Sequence, residues 1–491
     1  MMLDLKVTIR FINLASQPVK RPTMYLRIPI SLVLLLAGCE SYAPQALDPG
    51  KQLAALESRR LDAPEVRRFA EHSLGHEVTP WPPQSWGLDT LTLAAFYYHP
   101  DLDRAQGQRL AAEAATVTAG ARPAPTGGMS FQHNKDAPPG QSPWTRGLVL
   151  DIPLETAGKR DIRIDQAQHL TQAAKLRAAE SVWQVRSRVR ASLLAAYPTE
   201  DLVRRQRDLQ DEITRMFERR FAAGAVSQSE LTQAHLMLSR ATLALRENQK
   251  QGAENHARLA AAIGVPDAAL DGAEISYQAF EQLLPVASLP PAEARRKALA
   301  ARPDVLAALA DYEAAQSALQ LEIARQYPDI SIGPGYTWDA GQVKWSLGLS
   351  LVLPLWNRNE GPIAEAKARR MEAAAAFLSV QARAIAEVDE AVAGYGHAID
   401  MYETANALLQ AQRKQERNIS AAFQAGEADR LSWISARLET AAAEQARIGA
   451  LSQAQTSLGR VEDALRRPLG VQGTAPTAEQ VLSSKSLRTG N

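Results

Sequence analysis

The sequence predicts a mainly helical chain with a few β-strands, built from two copies of one unit. Three observations predict this fold class. Short segments recur with an offset of about 200 residues, each copy contains two strand-like segments, and a stretch of about 60 residues with few helix breakers follows each strand pair. A chain of 491 residues is long enough for such a duplication.

The repeat is visible in five pairs of matching segments that occur in the same order, with offsets between 199 and 203 residues. This period is far longer than that of solenoid repeats, so it indicates a duplication of one large unit. The matching pairs are His99–Leu102 with Arg302–Val305, Gly147–Leu154 with Gly348–Leu355, Ile164–Ala167 with Ile363–Ala366, Phe221–Gly224 with Phe423–Gly426, and Ala234–Leu236 with Ala436–Leu438.

Each repeat is expected to contain two strands. In the second repeat, Ile330 to Trp338 and Val343 to Leu353 read as strands joined by a tight turn. The second of these alternates strictly between large apolar side chains and small or polar ones, which predicts one apolar face. The first repeat carries a weaker copy at Gly128 to His133 and Trp144 to Ile152.

The strand pairs are followed by unusually long helical stretches, Arg160 to Phe221 and Ile363 to Phe423. Globular helices average about 11–12 residues, so stretches of this length predict coiled-coil packing. Pro198 interrupts the first stretch, and Gly394 with Gly396 weakens the second at nearly the same level. These sites are either two unrelated kinks or one bend shared by both repeats.

A tight turn is expected at the far end of each long helix. Gly224 and Gly426 are placed to end the helices as C-cap residues. Ser227 and Asp429 follow three positions later and are placed to N-cap the returning helices. The returning helices carry apolar residues in 3-4 spacing, as in Leu231–Ala234–Leu238. Each repeat is therefore predicted to form a long antiparallel hairpin with a closed tip.

The N-terminus has the pattern of a secretory signal. Arg27 precedes a short apolar run, residues 31–37, and the only cysteine of the chain, Cys39, follows two residues later. A basic residue, a short apolar run and small residues predict signal cleavage. The segment resembles the lipobox of bacterial lipoproteins, which implies a lipid on Cys39. The alternative is a plain signal peptide with an incidental cysteine. Met24 begins a signal of normal length.

These features divide the chain into six predicted segments. They are a signal peptide at 1–38, a lipidated N-terminal arm at 39–84, repeat 1 at 85–266, a linker at 267–290, repeat 2 at 291–470 and a C-terminal tail at 471–491.

Composition narrows the function classes. The chain has 55 Lys and Arg against 54 Asp and Glu, a net charge of +1, which argues against a nucleic-acid binder. A single cysteine excludes an internal disulfide framework and a thiolate-cluster metal site.

His72 and His76 are spaced like metal ligands on a helix, but no third ligand is evident. No nucleophile elbow and no other catalytic motif is present, so we expect no enzyme.

Four predicted strands per chain imply an assembly. A four-stranded sheet with an apolar face and open edges is an aggregation hazard in an isolated chain. An outer-membrane barrel would use such a face, but barrels of this kind begin at about eight strands. Closure therefore requires several chains, and three chains would supply 3 × 4 = 12 strands.

At this point the chain resembles the TolC-like outer-membrane efflux proteins over roughly residues 85 to 470. The most specific segment is Gly348 to Ala368, supported by Arg302–Pro303–Asp304 and by the glycines at the two helix ends. The resemblance implies a homotrimer with a 12-stranded outer-membrane barrel and a coiled-coil helical tunnel in the periplasm. It implies a passive export duct for small solutes, drugs or metal ions, without a cofactor.

The resemblance also implies partners and a location. The partners are a periplasmic adaptor, an inner-membrane pump of the resistance-nodulation-division type and outer-membrane lipid, with no nucleic acid. The location is the cell outer membrane, with a lipid anchor at Cys39. The alternative is a lipid-anchored periplasmic coiled-coil scaffold or adaptor without a channel, which would leave two apolar strand pairs unexplained. A secreted enzyme is disfavoured because no catalytic constellation is present.

The resemblance places the aperture of the channel at the helical tips. Drug-efflux members carry aspartates six and nine residues after the second tip glycine, and these positions here are Ser432 and Ser435. Glu427 and Asp429 lie closer to the tip and are candidates to replace those aspartates. The alternative is that Asp429 is only an N-cap and Glu427 a solvated surface residue. A ring of such acidic side chains, related by three-fold symmetry, would favour the passage of cations.

Overall fold

A computed structural model describes residues 42–353, 356–469 and 476–489. The chain divides into two units, residues 1–53 and 54–491. In the first unit, the described residues 42–48 precede helix α1 (Pro49–Glu57), which begins in that unit. The predicted signal peptide at 1–38, its start at Met24 and the lipid site Cys39 lie outside the described residues.

The remaining described elements follow the predicted order of each repeat. The first half contains α2 (Pro64–Leu74), α3 (Leu88–Tyr98), α4 (Pro100–Ala119), β1 (Thr126–His133), β2 (Trp144–Leu154), α5 (Lys159–Ala195), α6 (Glu200–Ala222) and α7 (Gln228–Ile263). The second half contains α8 (Ala292–Ala300), α9 (Pro303–Ala324), β3 (Ile330–Asp339), β4 (Gln342–Leu351), α10 (Glu360–Gln424), α11 (Arg430–Leu465) and α12 (Ala478–Thr489). The predicted combination of long helical hairpins with four strands is confirmed.

The two long helical stretches differ at the predicted weak points. The first is divided into α5 and α6 around Pro198, because proline lacks the amide hydrogen that a continuous helix needs. The second, α10, continues for 65 residues through Gly394 and Gly396. The break at Pro198 therefore has no counterpart in α10 as an interruption of the helix.

Four helical columns run side by side in this unit. α4 packs on α5, α5 on α9, and α9 on α10; further along, α7 packs on α6, α6 on α11, and α11 on α10. α7 and α4 meet end to end, since Arg59 donates to the carbonyls of both Gly264 and Tyr98, at 2.6 and 3.1 Å. α11 and α9 meet in the same way through Arg302, which donates to the Ala464 carbonyl at 2.8 Å. The outer columns are therefore α7 with α4 on one side and α10 on the other.

The sheet lies beyond the helix ends at which α4 and α9 stop. Its order is β1-β2-β3-β4, and every neighbouring pair is antiparallel. β3 and β4 are joined by the two-residue turn Ala340–Gly341, in which both residues have positive φ, +48° and +86°. That conformation matches the right-handed twist of a hairpin.

The apolar core is concentrated where the columns meet the N-terminal helices. Leu91, Leu102, Val185 and Leu193 are fully buried there, together with Phe280 from the connection between the repeats. α12 also packs on α2, α4 and α5. Its Lys485 is buried and donates to Asp103 at 2.6 Å. The described part of the predicted tail is thus held by an ion pair between a buried lysine and an exposed carboxylate.

Candidate channel-forming surfaces

One face of the sheet is apolar across all four strands. Leu148 lies opposite Met129 on one side and Tyr336 on the other, and Tyr336 lies opposite Trp345. This face is not covered by other parts of the described chain: Trp345 is 79% exposed and Leu349 is 69% exposed. The alternation predicted for β4 is confirmed. Leaving the apolar surface of this face in water is unfavourable, by about 25 cal/mol per Å² of apolar area.

The opposite face of the sheet carries small and polar side chains. One position along each strand from the Leu148 row, four residues are again paired across all four strands: Ser130, Gly147, Thr337 and Lys344. Such an arrangement, apolar on one face and polar on the other, is that of outer-membrane barrel strands, which face lipid on one side and the lumen on the other.

Aromatic rings gather at the end of the sheet where the strand pairs turn. Tyr336 and Trp345 meet edge to face with centroids 5.0 Å apart, and His133 and Trp144 do so at 4.7 Å. The Arg146 guanidinium lies over the ring of Trp338, 5.6 Å from its centroid. Aromatic rings mark the boundary between lipid and water in membrane barrels. This aromatic band was not predicted from the sequence, although aromatic residues beside the predicted turns were its signal.

The two edges of the sheet are open. Among the described strands, β1 pairs only with β2 and β4 pairs only with β3. Each edge strand is next in sequence to a helix of an outer column: α4 precedes β1, and α10 follows β4. Unpaired backbone groups along both edges are available to neighbouring strands.

At the first helical tip, Gly224 has φ +65°, the left-handed conformation that ends a helix. Ser227 is the N-cap of α7: its side chain accepts from the Glu230 amide, and the Glu230 carboxylate accepts from the Ser227 amide at 2.6 Å. This reciprocal pair is a capping box. The turn is therefore rigidly defined by local bonds.

At the second tip, Gly426 has φ +78° and Asp429 is the N-cap of α11. One carboxylate oxygen of Asp429 accepts from the Ser432 amide at 2.8 Å, and the other accepts from Arg220 of the first hairpin at 3.0 Å. The hydrogen bonds from Ser432, followed by that from Arg220, hold the pKa of Asp429 below its ordinary value. Arg430 is paired with Glu212 of the first hairpin. Two ion pairs thus join the tips.

The structure places the four candidate aperture residues within three turns of the second tip. Glu427 lies in the turn with its side chain exposed, Ser432 is exposed on α11, and Ser435 is half-buried. Asp429 differs from Glu427 because its charge is already compensated by Arg220. The role of Arg220 was not predicted from the sequence, because its partner Asp429 is 209 residues away.

Neither a metal cluster nor a spanning helix is found in the described part of the chain. No group of three or more His, Cys, Asp or Glu side chains there is arranged to hold a metal ion. The His72 ring nitrogen Nδ1 lies 2.7 Å from the Ser484 hydroxyl, whereas His76 contacts the Glu77 carbonyl. Within residues 42–353, 356–469 and 476–489, no helix is both long and apolar enough to cross a membrane.

The sequence model of the outer membrane efflux proteins matches residues 95–265 and 294–466, two segments that together span most of the chain. The chain belongs to the outer membrane efflux protein family. The predicted resemblance is therefore confirmed, and with it the duplication, because the same family model matches twice. The predicted outer-membrane location is confirmed as well.

Curated relatives and solved structures agree with this assignment. The chain is 27% identical over 222 residues to the cobalt-zinc-cadmium resistance protein CzcC of Cupriavidus metallidurans, covering 44% of this chain and 52% of CzcC. It is 25% identical over 360 residues to the pyoverdine export outer membrane protein OpmQ of Pseudomonas aeruginosa, covering 67% and 72%. The alignment thus spans about half the length of CzcC.

The crystal structure of the outer membrane protein VceC of Vibrio cholerae has the same fold. The TM-score is 0.62 with 20% identity, and the match covers 78% of this chain and 96% of VceC.

Proposed function

We propose that the chain is the outer-membrane channel of a tripartite efflux system, a passive duct that carries small solutes from the periplasm or an inner-membrane pump to the exterior. Three copies join their sheets into a 12-stranded barrel, and their helical columns continue the duct into the periplasm. Cys39 carries a lipid anchor. The proposed segments are those derived from the sequence: arm 39–84, repeats 85–266 and 291–470, linker 267–290 and tail 471–491.

The sheet is the observation that supports this proposal most strongly. Its apolar face is exposed, its opposite face is polar, and both edge strands lack a partner among the described residues. Lipid satisfies the apolar face, and a neighbouring copy satisfies each edge. A ring of three copies is closed because each interface joins one β4 to the next β1. A lipid-anchored scaffold without a channel would leave the apolar face in water.

We propose no chemical step for this protein. The duct itself supplies no energy, so an inner-membrane pump and a periplasmic adaptor must drive and seal the pathway. The named relatives point to two classes of cargo, since one is a cobalt-zinc-cadmium resistance protein and the other exports pyoverdine. Metal ions and small organic solutes are therefore the substrate classes to test first.

The aperture is proposed to favour cations weakly. Glu427 carries the exposed charge at the tip, while Asp429 is compensated by Arg220. In a trimer Glu427 forms a ring of three carboxylates, which raises the local cation concentration. Ser432 and Ser435 leave the positions further up the helix uncharged.

Planar-bilayer conductance of the purified protein tests both proposals. We expect stepwise channels with a modest preference for K⁺ over Cl⁻. Glu427→Gln is expected to reduce that preference, and Glu427→Gln with Asp429→Asn to abolish it. The control is Glu372→Gln, an exposed carboxylate on α10 far from the tip. If protein of the native assembly size forms no conducting channels, the proposed duct is contradicted. Unchanged selectivity in the double variant contradicts the aperture proposal alone.

A further inference from the structure

One side chain on the apolar face of the sheet carries a permanent charge. Arg146 lies opposite Phe131 on β1 and opposite Trp338 on β3, so it belongs to the same face as Leu148, two residues further along β2. The other side chains of this face in the described strands are apolar or aromatic, apart from the ring of His133. Charge is unfavourable on a surface that faces lipid, so the Arg146 guanidinium needs a counter-charge or water.

Arg146 lies close to the end of the sheet where the strand pairs turn. β2 begins at Trp144 and ends at Leu154, so Arg146 is about 7 Å from the first end and about 27 Å from the other, at about 3.4 Å per residue. Its row is therefore part of the aromatic band. Under the proposed function the helices extend into the periplasm, so this end of the barrel is the outer rim. The cost of a lipid-facing arginine falls towards such a boundary, where headgroups replace hydrocarbon.

The guanidinium of Arg146 has no anionic partner in the described part of the chain. Its contact there is with the ring of Trp338, a cation–π interaction, and it has neither an ion pair nor a hydrogen bond to another described side chain. Arg146 is exposed, and an arginine presents five N–H donors in a planar fork. The contact with Trp338 restrains the side chain and leaves these donors available.

The lysine on the opposite face of the sheet is already compensated. Lys344 lies in the neighbouring row, on the polar face, and its ammonium is 2.8 Å from the Asp339 carboxylate. The Thr145 hydroxyl also donates to Asp339, at 2.7 Å. The charge on the polar side is thus paired within the chain, whereas the charge of Arg146 on the apolar side is available to a group from outside.

We propose that Arg146 and Trp338 bind the phosphate-bearing headgroup of a lipid at the outer rim of the barrel. The proposal rests on the proposed function, because only a sheet embedded in lipid brings headgroups to this row. Phosphate matches the arginine fork, since two N–H groups can bond two phosphate oxygens at once.

The apolar rows beside Arg146 identify the occupant as a lipid. Leu148 and Tyr336 form the next row towards the middle of the sheet, and Leu150 lies beyond it on the same face. Acyl chains attached to the bound headgroup cover these rows, whereas a free phosphate ion would leave them uncovered. β2 and β3 belong to one copy, so each copy of the trimer carries one complete site.

Lipid binding to the purified protein tests the proposal. The protein is washed in dodecyl maltoside until no lipid phosphate remains and is then titrated with diphosphorylated lipid A, and bound lipid is counted by native mass spectrometry. The comparison probes are the same lipid with both phosphates removed, and inorganic phosphate. We expect saturable binding of lipid A, with the dephosphorylated lipid bound on the order of tenfold more weakly because it lacks the charge-assisted hydrogen bonds.

Three variants separate the fork, the charge and the position. Arg146→Gln removes both charge and fork and should weaken lipid A binding on the order of tenfold. Arg146→Lys keeps the charge without the fork and should retain part of the binding. The matched control is Lys344→Gln, which removes one positive charge from the opposite face and should bind lipid A like the parent. Both positions are exposed, so each variant is expected to assemble.

Native mass and bilayer conductance, measured on every variant in parallel, separate this inference from the proposed function. An assembled, conducting trimer in which Arg146→Gln binds lipid A as tightly as the parent, or in which Lys344→Gln loses binding equally, overturns the inference and leaves the channel intact. Equally tight binding of inorganic phosphate or of the dephosphorylated lipid also overturns it, because the site would then select a free anion or acyl chains alone. A monomer without conductance overturns both.

Discussion

At the scale of single residues, the two repeats use different side chains to join the two helices of a column. His99 and Arg302 are equivalent in the repeat, and each is the N-cap of the helix that continues a column. Arg302 itself reaches the end of α11, the other helix of the same column, where it donates to the Ala464 carbonyl. His99 is too short for that contact, and Arg59 from the N-terminal region makes it instead.

Arg302 is expected to be among the most sensitive positions of the chain. Its side chain is buried and paired with Asp304 and Glu387, at 2.7 and 2.9 Å. Arg302→Met leaves both carboxylates and the Ala464 carbonyl without their donor. Breaking such a pair costs about 3–5 kcal/mol, and the partial exposure of the carboxylates favours the lower end. The denaturant midpoint of the solubilised protein measures this loss.

The control for this change is Lys297→Met, which breaks an exposed pair with Glu293 on α8. Exposed pairs contribute little, so its midpoint should stay near that of the parent. Equal effects of the two substitutions would contradict the role assigned to Arg302.

His99 is expected to make stability depend on pH. Burial, and then the charge of Arg188, lower the pKa of His99; Lys485 acts in the same direction, against Asp101 and Asp103. The unfolded chain therefore binds a proton that the folded chain resists. The contribution of neutral His99 to the free energy of unfolding is fully present above the pKa of histidine in the unfolded chain, about 6.5. This contribution is lost as the pH falls below that value.

His99→Gln should flatten the loss of stability between about pH 6.5 and 5. The measurement is the denaturant midpoint across this range, compared with His76→Gln, which changes an exposed histidine. A parent-like slope in His99→Gln would show that other groups cause the dependence.

At the scale of elements, the sheet gives the sharpest contrast between neighbouring positions. Leu349 is on the apolar face and Ser350 is on the polar face, and both are exposed. An arginine facing lipid near the middle of a membrane costs about 2–4 kcal/mol, whereas a lumen-facing arginine costs far less. Leu349→Arg should therefore lower the amount of protein in the outer membrane, and Ser350→Arg should not. Equal levels of both variants would place the sheet outside lipid.

The long helices show where local sequence decides structure and where packing overrides it. Pro198 breaks the first helix, as expected from its missing amide hydrogen. Two glycines cost about 1 kcal/mol each in a helix, yet α10 is continuous. Tyr395, between them, is fully buried, and its hydroxyl donates to the Leu284 carbonyl. Burial raises the pKa of Tyr395 to about 12. Packing around this side chain compensates for the glycines.

At the scale of the whole molecule, the features that could be predicted are those with local signals. The strands, the hairpins, the tip glycines and the N-caps Ser227 and Asp429 each depend on residues close together in sequence. Ion pairs across hundreds of residues, such as Arg220 with Asp429, depend on how the hairpins meet and have no local signal. The pair of the buried Lys485 with Asp103 was not predicted for the same reason.

Three copies of this chain are proposed to close one barrel. The direct test is the native mass of the protein extracted in mild detergent from isolated outer membranes, with detergent mass subtracted. We expect three copies of the mature chain, and Cys39→Ser should leave that assembly in the membrane because the barrel itself holds it there. A monomer, or release of the protein from membranes by Cys39→Ser alone, would show that the strands do not close a barrel.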